Sequence, residues 1–218
     1  MNQEKRPANG SNGAAGPPML RLSRHGASLR VVRSLVPILS GGGVVLLPTD
    51  TIYGFSARFD HVSARRRIRD LKGANPAGPM VSLVSGLEMA FRLAEPPRGA
   101  SLRLLEQHWP GPLTAVLRAR AHVPPDLCGP GDTLAFRWPV MPFLQALIGA
   151  LGTPVVSTSA NRTGEPTPSR FATLAVLFGD RLDALIDGGD LSGQASTIVD
   201  LTSPEPVVLR HGALELQV

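Results

Sequence analysis

The segment Pro48-Thr49-Asp50-Thr51-Ile52-Tyr53-Gly54-Phe55 follows the apolar run Val44-Val45-Leu46-Leu47, and Ser157-Thr158-Ser159-Ala160-Asn161 follows Pro154-Val155-Val156. Each pair reads as a buried strand ending in hydroxyl, carboxylate and amide groups. The strand fixes the backbone, and polar side chains emerging at its end can meet a ligand. Two such ends in one small domain point to one pocket fed by both.

The flanking pattern alternates helices and strands. Leu29, Val32, Leu35, Val36 and Leu39 recur at helical spacing over residues 28–39, with Pro37 interrupting near the end and Gly41-Gly42-Gly43 stopping the helix. Residues 61–71 read as a short basic helix with Asp60 as N-cap and Val62, Ile68 and Leu71 inward. Further helices are expected over 102–109, 142–151 and 169–178. In the last of these Phe171, Leu174, Leu177 and Phe178 are expected to face inward. Strands are expected at 44–47, 80–84, 113–117, 134–138, 155–157, 184–186, 197–201 and 207–210. Strands and helices alternate without strict pairing, so the class is α/β with a mixed, twisted sheet. Residues 1–20 are rich in Gly, Asn, Pro and Ala and are expected to be a disordered tail. Residues 21–218 form the single domain.

Composition narrows the partners. Net charge is +5 and the isoelectric point is about 10.6, which favours an anionic partner such as a nucleotide or RNA, with a solubilising basic surface as the alternative that composition leaves open. Arg65, Arg66, Arg67 and Arg69 cluster, but no aromatic residues interleave with them, so a base-stacking platform is not indicated. No apolar run reaches the roughly 18 residues a membrane span needs. The single cysteine, Cys128, forms no intrachain disulfide, and a reducing cytoplasm is the expected setting.

Common catalytic signatures are missing. There is no Walker-type loop, no Gly-x-Gly-x-x-Gly run and no Gly-x-Ser-x-Gly elbow. The five histidines are scattered and zinc is not expected. What remains is a dispersed polar set: Thr51, Lys72, Thr133, Arg137, Ser157, Ser159, Asn161, Thr167, Ser196 and Arg210. In Thr133-Leu134-Ala135-Phe136-Arg137, period 2 puts Thr133, Ala135 and Arg137 on one face. Arg137, in an apolar strand, needs a partner or a ligand. A carboxylate or phosphate ligand and an ion pair with Asp50 or Asp132 stand level on the residues alone.

These motifs together resemble the YrdC/TsaC family of threonylcarbamoyl-AMP synthases. The resemblance runs from about Val44 to Ala213. It rests on Pro48-Thr49-Asp50-Thr51-Ile52-Tyr53-Gly54, Trp109-Pro110-Gly111-Pro112-Leu113-Thr114, Leu134-Ala135-Phe136-Arg137, Ser157-Thr158-Ser159-Ala160-Asn161, Ser196-Thr197-Ile198-Val199-Asp200 and Leu209-Arg210-His211-Gly212, in the family's order. It implies an open, twisted YrdC-like sheet flanked by helices, with a concave basic face. The chain ends soon after the last block, so the short family form is expected.

The resemblance also implies a reaction: L-threonine, bicarbonate or CO2, and ATP give L-threonylcarbamoyladenylate and pyrophosphate. A partner complex then transfers the threonylcarbamoyl group to adenosine 37 of tRNA. Matched position by position, threonine would contact Thr51, Arg137, Ser157 and Ser196. ATP, with its Mg²⁺, would contact Lys72, Thr133, Ser159, Thr167 and Arg210. No dedicated protein ligand for Mg²⁺ is assigned. Contact with tRNA or double-stranded RNA is a further expectation. The family's usual Lys-x-Arg-Pro reads Lys72-Gly73-Ala74-Asn75-Pro76 here, with Ala74 where a second basic residue is expected. One of the arginines at 65–69 could replace it, the enzyme could be slow, or the chain could belong to a YciO-like branch that binds RNA or a nucleotide without this activity.

Overall fold

Ten strands form one mixed sheet accompanied by six α-helices, within residues 16–22, 28–73 and 80–216, which the computed structural model describes. The elements are β1 (Met19–Arg21), α1 (Leu29–Ser40), β2 (Val45–Leu47), β3 (Gly54–Arg58), α2 (Val62–Lys72), β4 (Val81–Leu83), α3 (Leu87–Leu93), α4 (Gly99–His108), β5 (Leu113–Arg118), β6 (Thr133–Arg137), α5 (Pro142–Leu151), β7 (Val155–Ser159), α6 (Phe171–Phe178), β8 (Ala184–Asp187), β9 (Thr197–Asp200) and β10 (Val207–Arg210). The strand order is β1-β8-β2-β3-β7-β4-β6-β5-β9-β10. The pairs β1–β8, β8–β2, β4–β6 and β5–β9 are parallel, and the others antiparallel.

Register builds the platform for the site. Ser56 stands opposite Ser157, Ser157 opposite Val81, Val81 opposite Ala135, and Ala135 opposite Val116. Side chains alternate along a strand, so this row projects from one face. Leu83 pairs with Arg137 on the same face, and Thr114 with Ile198. The opposite face carries Phe55, Ala57, Val156, Leu134, Phe136, Ala115 and Leu117, all buried. Phe55 meets Phe178 of α6 edge-on, with ring centroids 4.9 Å apart. Emptying one such site, as in Phe136→Ala, would cost ~3–5 kcal/mol, a large part of a typical stability of about 5–15 kcal/mol.

Several details depart from the sequence expectations. Met19 and Leu20 lie within the stretch expected to be tail, yet they pair with Leu185 and Ile186 as an edge strand. The expectation for residues 1–15 falls outside the described residues. Strand β3 and helix α3 were not anticipated, and α4 starts earlier, at Gly99. The α2 N-cap is His61, with no side-chain cap bond, while Asp60 pairs with Arg58 at 2.8 Å. Val62 is 39% exposed, because α2 first meets the core at Ala64. Leu177 is 51% exposed, because α6 buries Phe171, Leu174 and Phe178 and Leu177 falls beside that stripe. Pro37 sits inside α1 without ending it. No helix among the described residues is long and apolar enough to cross a membrane.

Candidate active site

A cavity of about 580 Å³ opens on the face that carries Ser157, Val81, Ala135 and Val116. Its floor is apolar: Val81, Leu83, Ala135, Val116 and Ile198. Three polar clusters surround that floor, each pinned by a different strand end.

The first cluster comes from the loop after β2. Thr49 Oγ1 donates to the Ile52 carbonyl at 2.7 Å and accepts from the Thr51 and Ile52 amides. The Thr49 and Thr51 hydroxyls share a hydrogen bond at 2.9 Å. Arg137 Nη1 donates to Thr51 Oγ1 at 2.8 Å. Thr51 thus keeps one hydrogen-bonding position for a ligand. A Cβ on Gly193 would overlap the Thr51 carbonyl, so a glycine lets that segment close over the loop.

Arg137 is 4% exposed and lies at the end of β6. It pairs with Asp50, and Asp50 Oδ2 also accepts the Val140 amide at 3.2 Å. The Arg137 Nε donates to the Gly111 carbonyl at 3.4 Å. Gly111 is held by its amide on the Trp138 carbonyl (2.8 Å), and Trp109 Nε1 donates to the Leu113 carbonyl (2.8 Å). The Trp109-Pro110-Gly111-Pro112 turn is thus the back wall of the arginine. Arg137 lines the cavity and is ion-paired to Asp50, not Asp132.

The second cluster is centred on Lys72, the last residue of α2. Its Nζ donates to the Ser159 carbonyl (3.0 Å), Ser159 Oγ (3.0 Å) and Asn161 Oδ1 (2.7 Å). Burial pulls the Lys72 ammonium below its ordinary pKa, because desolvation disfavours the charged form. Asn161 Nδ2 donates to the carbonyls of Arg162 and Glu165, and Thr167 Oγ1 reaches Asn161 Oδ1 at 3.5 Å.

The third cluster joins β9, β10 and β5. Arg210 Nη2 donates to the Ser196 carbonyl at 2.7 Å, and Ser196 Oγ shares a 2.8 Å bond with Thr114 Oγ1. Burial also lowers the Arg210 pKa. Ser157 sits on the floor between clusters, where its Oγ accepts from Ser56 Oγ at 3.0 Å. A Cβ on Gly54 would overlap Ser157 Oγ, so glycine at 54 makes room for that hydroxyl.

The cavity brings together Thr51, Lys72, Arg137, Ser157, Ser159, Asn161, Thr167, Ser196 and Arg210. It does not include Thr133, whose hydroxyl donates to the Pro130 carbonyl at 2.8 Å. Alternation places Thr133 on the correct face, but it lies at the far end of β6 from Arg137. Sequence reasoning missed Thr49, which organises the loop. The Thr49-x-Thr51 spacing was the available signal. Ala74 lies outside the described residues. Among the arginines at 65–69, none lines the cavity. Arg65 is buried against the Phe59 ring and donates to the Leu127 carbonyl, and Arg67 pairs with Asp183. Among the described residues no group of three His, Cys, Asp or Glu side chains could hold a metal ion.

Such a cavity can seat a small zwitterion and a polyanion side by side, with three cationic side chains and hydroxyl acceptors around an apolar floor. Comparison with known proteins agrees on the fold. The family model for Sua5/YciO/YrdC, described as "Telomere recombination", matches residues 37–212. A Pyrococcus abyssi threonylcarbamoyl-AMP synthase is 35% identical over 188 residues, which is 85% of this chain and 55% of the relative. The chain therefore spans about half the length of that curated relative. The P. abyssi Sua5 structure complexed with L-threonine is similar at a TM-score of 0.79 and 32% identity, covering 89% of this chain and 57% of that one. The E. coli YciO structure is similar at a TM-score of 0.84 and 27% identity, covering 91% of this chain and 97% of that one.

Proposed function

Because the chain belongs to the Sua5/YciO/YrdC family, we propose that it is an L-threonylcarbamoyladenylate synthase acting on L-threonine, bicarbonate or CO2, and ATP. The observation that carries this reading is the pairing of a buried, oriented Arg137 with the acceptor hydroxyl of Thr51, in one cavity with Lys72 and Arg210. The P. abyssi Sua5 complex shows that a similar chain binds L-threonine.

Arg137 takes the threonine carboxylate through the N–H groups that the protein leaves over. Thr51 Oγ1 accepts from the threonine amine, and Ser157 and Ser196 orient the amine and the side-chain hydroxyl. Lys72 and Arg210 face the phosphates, with Ser159 and Thr167 as hydroxyl contacts. Lys72 has its three donors engaged by Ser159 and Asn161, so a phosphate oxygen displaces one of those bonds or is held by charge. Thr133 has no role in this arrangement. Mg²⁺ accompanies ATP and supplies charge neutralisation when bound.

The chemistry balances as follows. Amine and bicarbonate condense to a carbamate with loss of water, or the amine adds to CO2 with loss of a proton. The carbamate oxygen then forms a bond to the α-phosphorus as the bond to pyrophosphate breaks. The step needs alignment and charge stabilisation more than a nucleophilic side chain. The product suits transfer to tRNA adenosine 37 by a partner complex, and a cytoplasmic setting fits this role.

The test is pyrophosphate release by purified protein with L-threonine, bicarbonate and Mg-ATP. Release that depends on threonine, with threonylcarbamoyladenylate formed, is expected. No threonine-dependent release, where the P. abyssi relative turns over, refutes the synthase reading.

A second reading is a YciO-like domain that binds RNA or a nucleotide without turnover. The similarity to E. coli YciO over 97% of that chain favours it, as does Ala74 in the Lys72-Gly73-Ala74-Asn75-Pro76 run. Salt-sensitive tRNA binding without adenylate formation is its expected result.

A further inference from the structure

Asp50 is absent from the contacts that the motifs assign, yet it is the group to which the cavity's buried arginine is tied. A guanidinium has five N–H donors. In Arg137, Nε is bonded to the Gly111 carbonyl, one Nη1 hydrogen to Thr51 Oγ1 and one Nη2 hydrogen to Asp50 Oδ1. Among the described residues two N–H groups have no partner, one on each terminal nitrogen, on a residue 4% exposed. The other Asp50 oxygen accepts the Val140 amide at 3.2 Å, in the turn between β6 and α5. Asp50 thus clamps the plane of the guanidinium from one side and the turn that follows it from the other.

We infer that Asp50 is the positioning residue for carboxylate recognition: it fixes the rotation of the Arg137 guanidinium so that its two free N–H groups face the cavity, and it cancels the arginine's net charge. This rests on the synthase reading for the identity of the carboxylate, but not for the clamp itself. With the charge cancelled, the pair discriminates by direction of hydrogen bonds and not by attraction for any anion. The triphosphate is therefore drawn not to the amino-acid end but to Lys72 and Arg210, which have no carboxylate within salt-bridge distance among the described residues.

The chemistry makes Asp50→Asn informative. Arg137 and the Val140 amide use different oxygens of Asp50, so in Asp50→Asn one of these donors faces an NH2 group in place of an acceptor. It also leaves Arg137 with a net positive charge. Positioning and bare attraction then predict opposite signs.

Two measurements on the full chain decide the matter. In steady-state kinetics Asp50→Asn is expected to raise the KM for threonine ~10-fold, with the KM for ATP and the saturating kcat close to wild type. Asp50→Glu, which keeps two acceptor oxygens, is expected to recover part of the loss. In ¹⁵N spectra of arginine side chains without ligand, the wild-type Arg137 terminal N–H signals should be resolved by hindered rotation and should average in Asp50→Asn. A tighter threonine KM, or an equal rise in both KM values, overturns the positioning role. So does an unchanged Arg137 spectrum, and that readout holds even if the wild type makes no adenylate, which would refute the synthase reading alone. If Asp50→Asn does not fold, Asp50→Glu supplies the comparison: a threonine KM raised by less than ~10-fold with the ATP KM unchanged is expected, and a tighter threonine KM or an equal rise in both KM values overturns the inference.

Discussion

Lys72 Nζ donates to Asn161 Oδ1 at 2.7 Å, while the amide nitrogen of the same Asn161 donates to the carbonyls of Arg162 and Glu165. One buried amide therefore connects the cation at the end of α2 to the loop leading to Thr167. Asn161→Ala should cost ~1–3 kcal/mol of stability, since it leaves buried partners unpaired. It should also raise the KM for ATP without changing that for threonine. Thermal unfolding and two-substrate kinetics check both parts.

Lys72 gives a signed pH dependence. Its folded pKa lies below the ordinary 10.5, with burial as the cause. Between those two values the unfolded chain binds more protons, so this group makes stability rise with pH across that window. With the proposed Lys72–phosphate contact, ATP binding through the charged form should fall over the same window. Lys72→Met should flatten both trends, as read by unfolding midpoints and nucleotide titration at stepped alkaline pH.

Gly54 and Ser157 are in steric opposition through a single missing methyl. Gly54→Ala should destabilise the chain by ~1–3 kcal/mol and weaken threonine binding. Adding Ser157→Ala to it should recover part of the stability but not the binding. Denaturant unfolding of the single and double variants, with threonine-induced thermal shifts, reads the two effects apart.

Ala74→Arg tests the open basic position. Charge-assisted contacts are worth about 1.5–3 kcal/mol, or roughly a tenfold to hundredfold effect on rate. The variant should raise kcat/KM for ATP on that scale if the phosphate end lacks a cation. An unchanged rate in an active enzyme would show that Lys72 and Arg210 suffice.

Much of this fold was legible because its strands are short apolar runs punctuated by Gly and Pro. The strands behind the two polar ends at residues 44–55 and 154–161, β2 and β7, pair with the two edges of β3. Strand β3 itself was hidden, since Gly54-Phe55-Ser56-Ala57 is buried on both faces and shows little polar contrast. Strand β1 was hidden by its length and by the Gly/Pro-rich residues before it. At the site, residue types and order pointed to Thr51, Ser157, Ser159, Ser196 and Arg210, which line one cavity. They did not foretell that the Thr133 hydroxyl lies on a local carbonyl, which only the turn geometry reveals. Nor could they choose between Asp50 and Asp132 as the Arg137 partner, because that choice depends on a contact between residues 87 positions apart.

Strand β4 is three residues long, yet it is the strand that joins β7 to β6 in the sheet order. Its Val81 touches Ser157 on one side and Ala135 on the other. A slip of one residue would turn Ser82 toward the cavity and Val81 away, and would leave the serine and arginine walls without a common floor. Recognition in this protein is therefore conditional on a zipper closing correctly in its middle. A ligand spanning both walls would act as a proofreader of that closure, binding only molecules in which this strand has found its place.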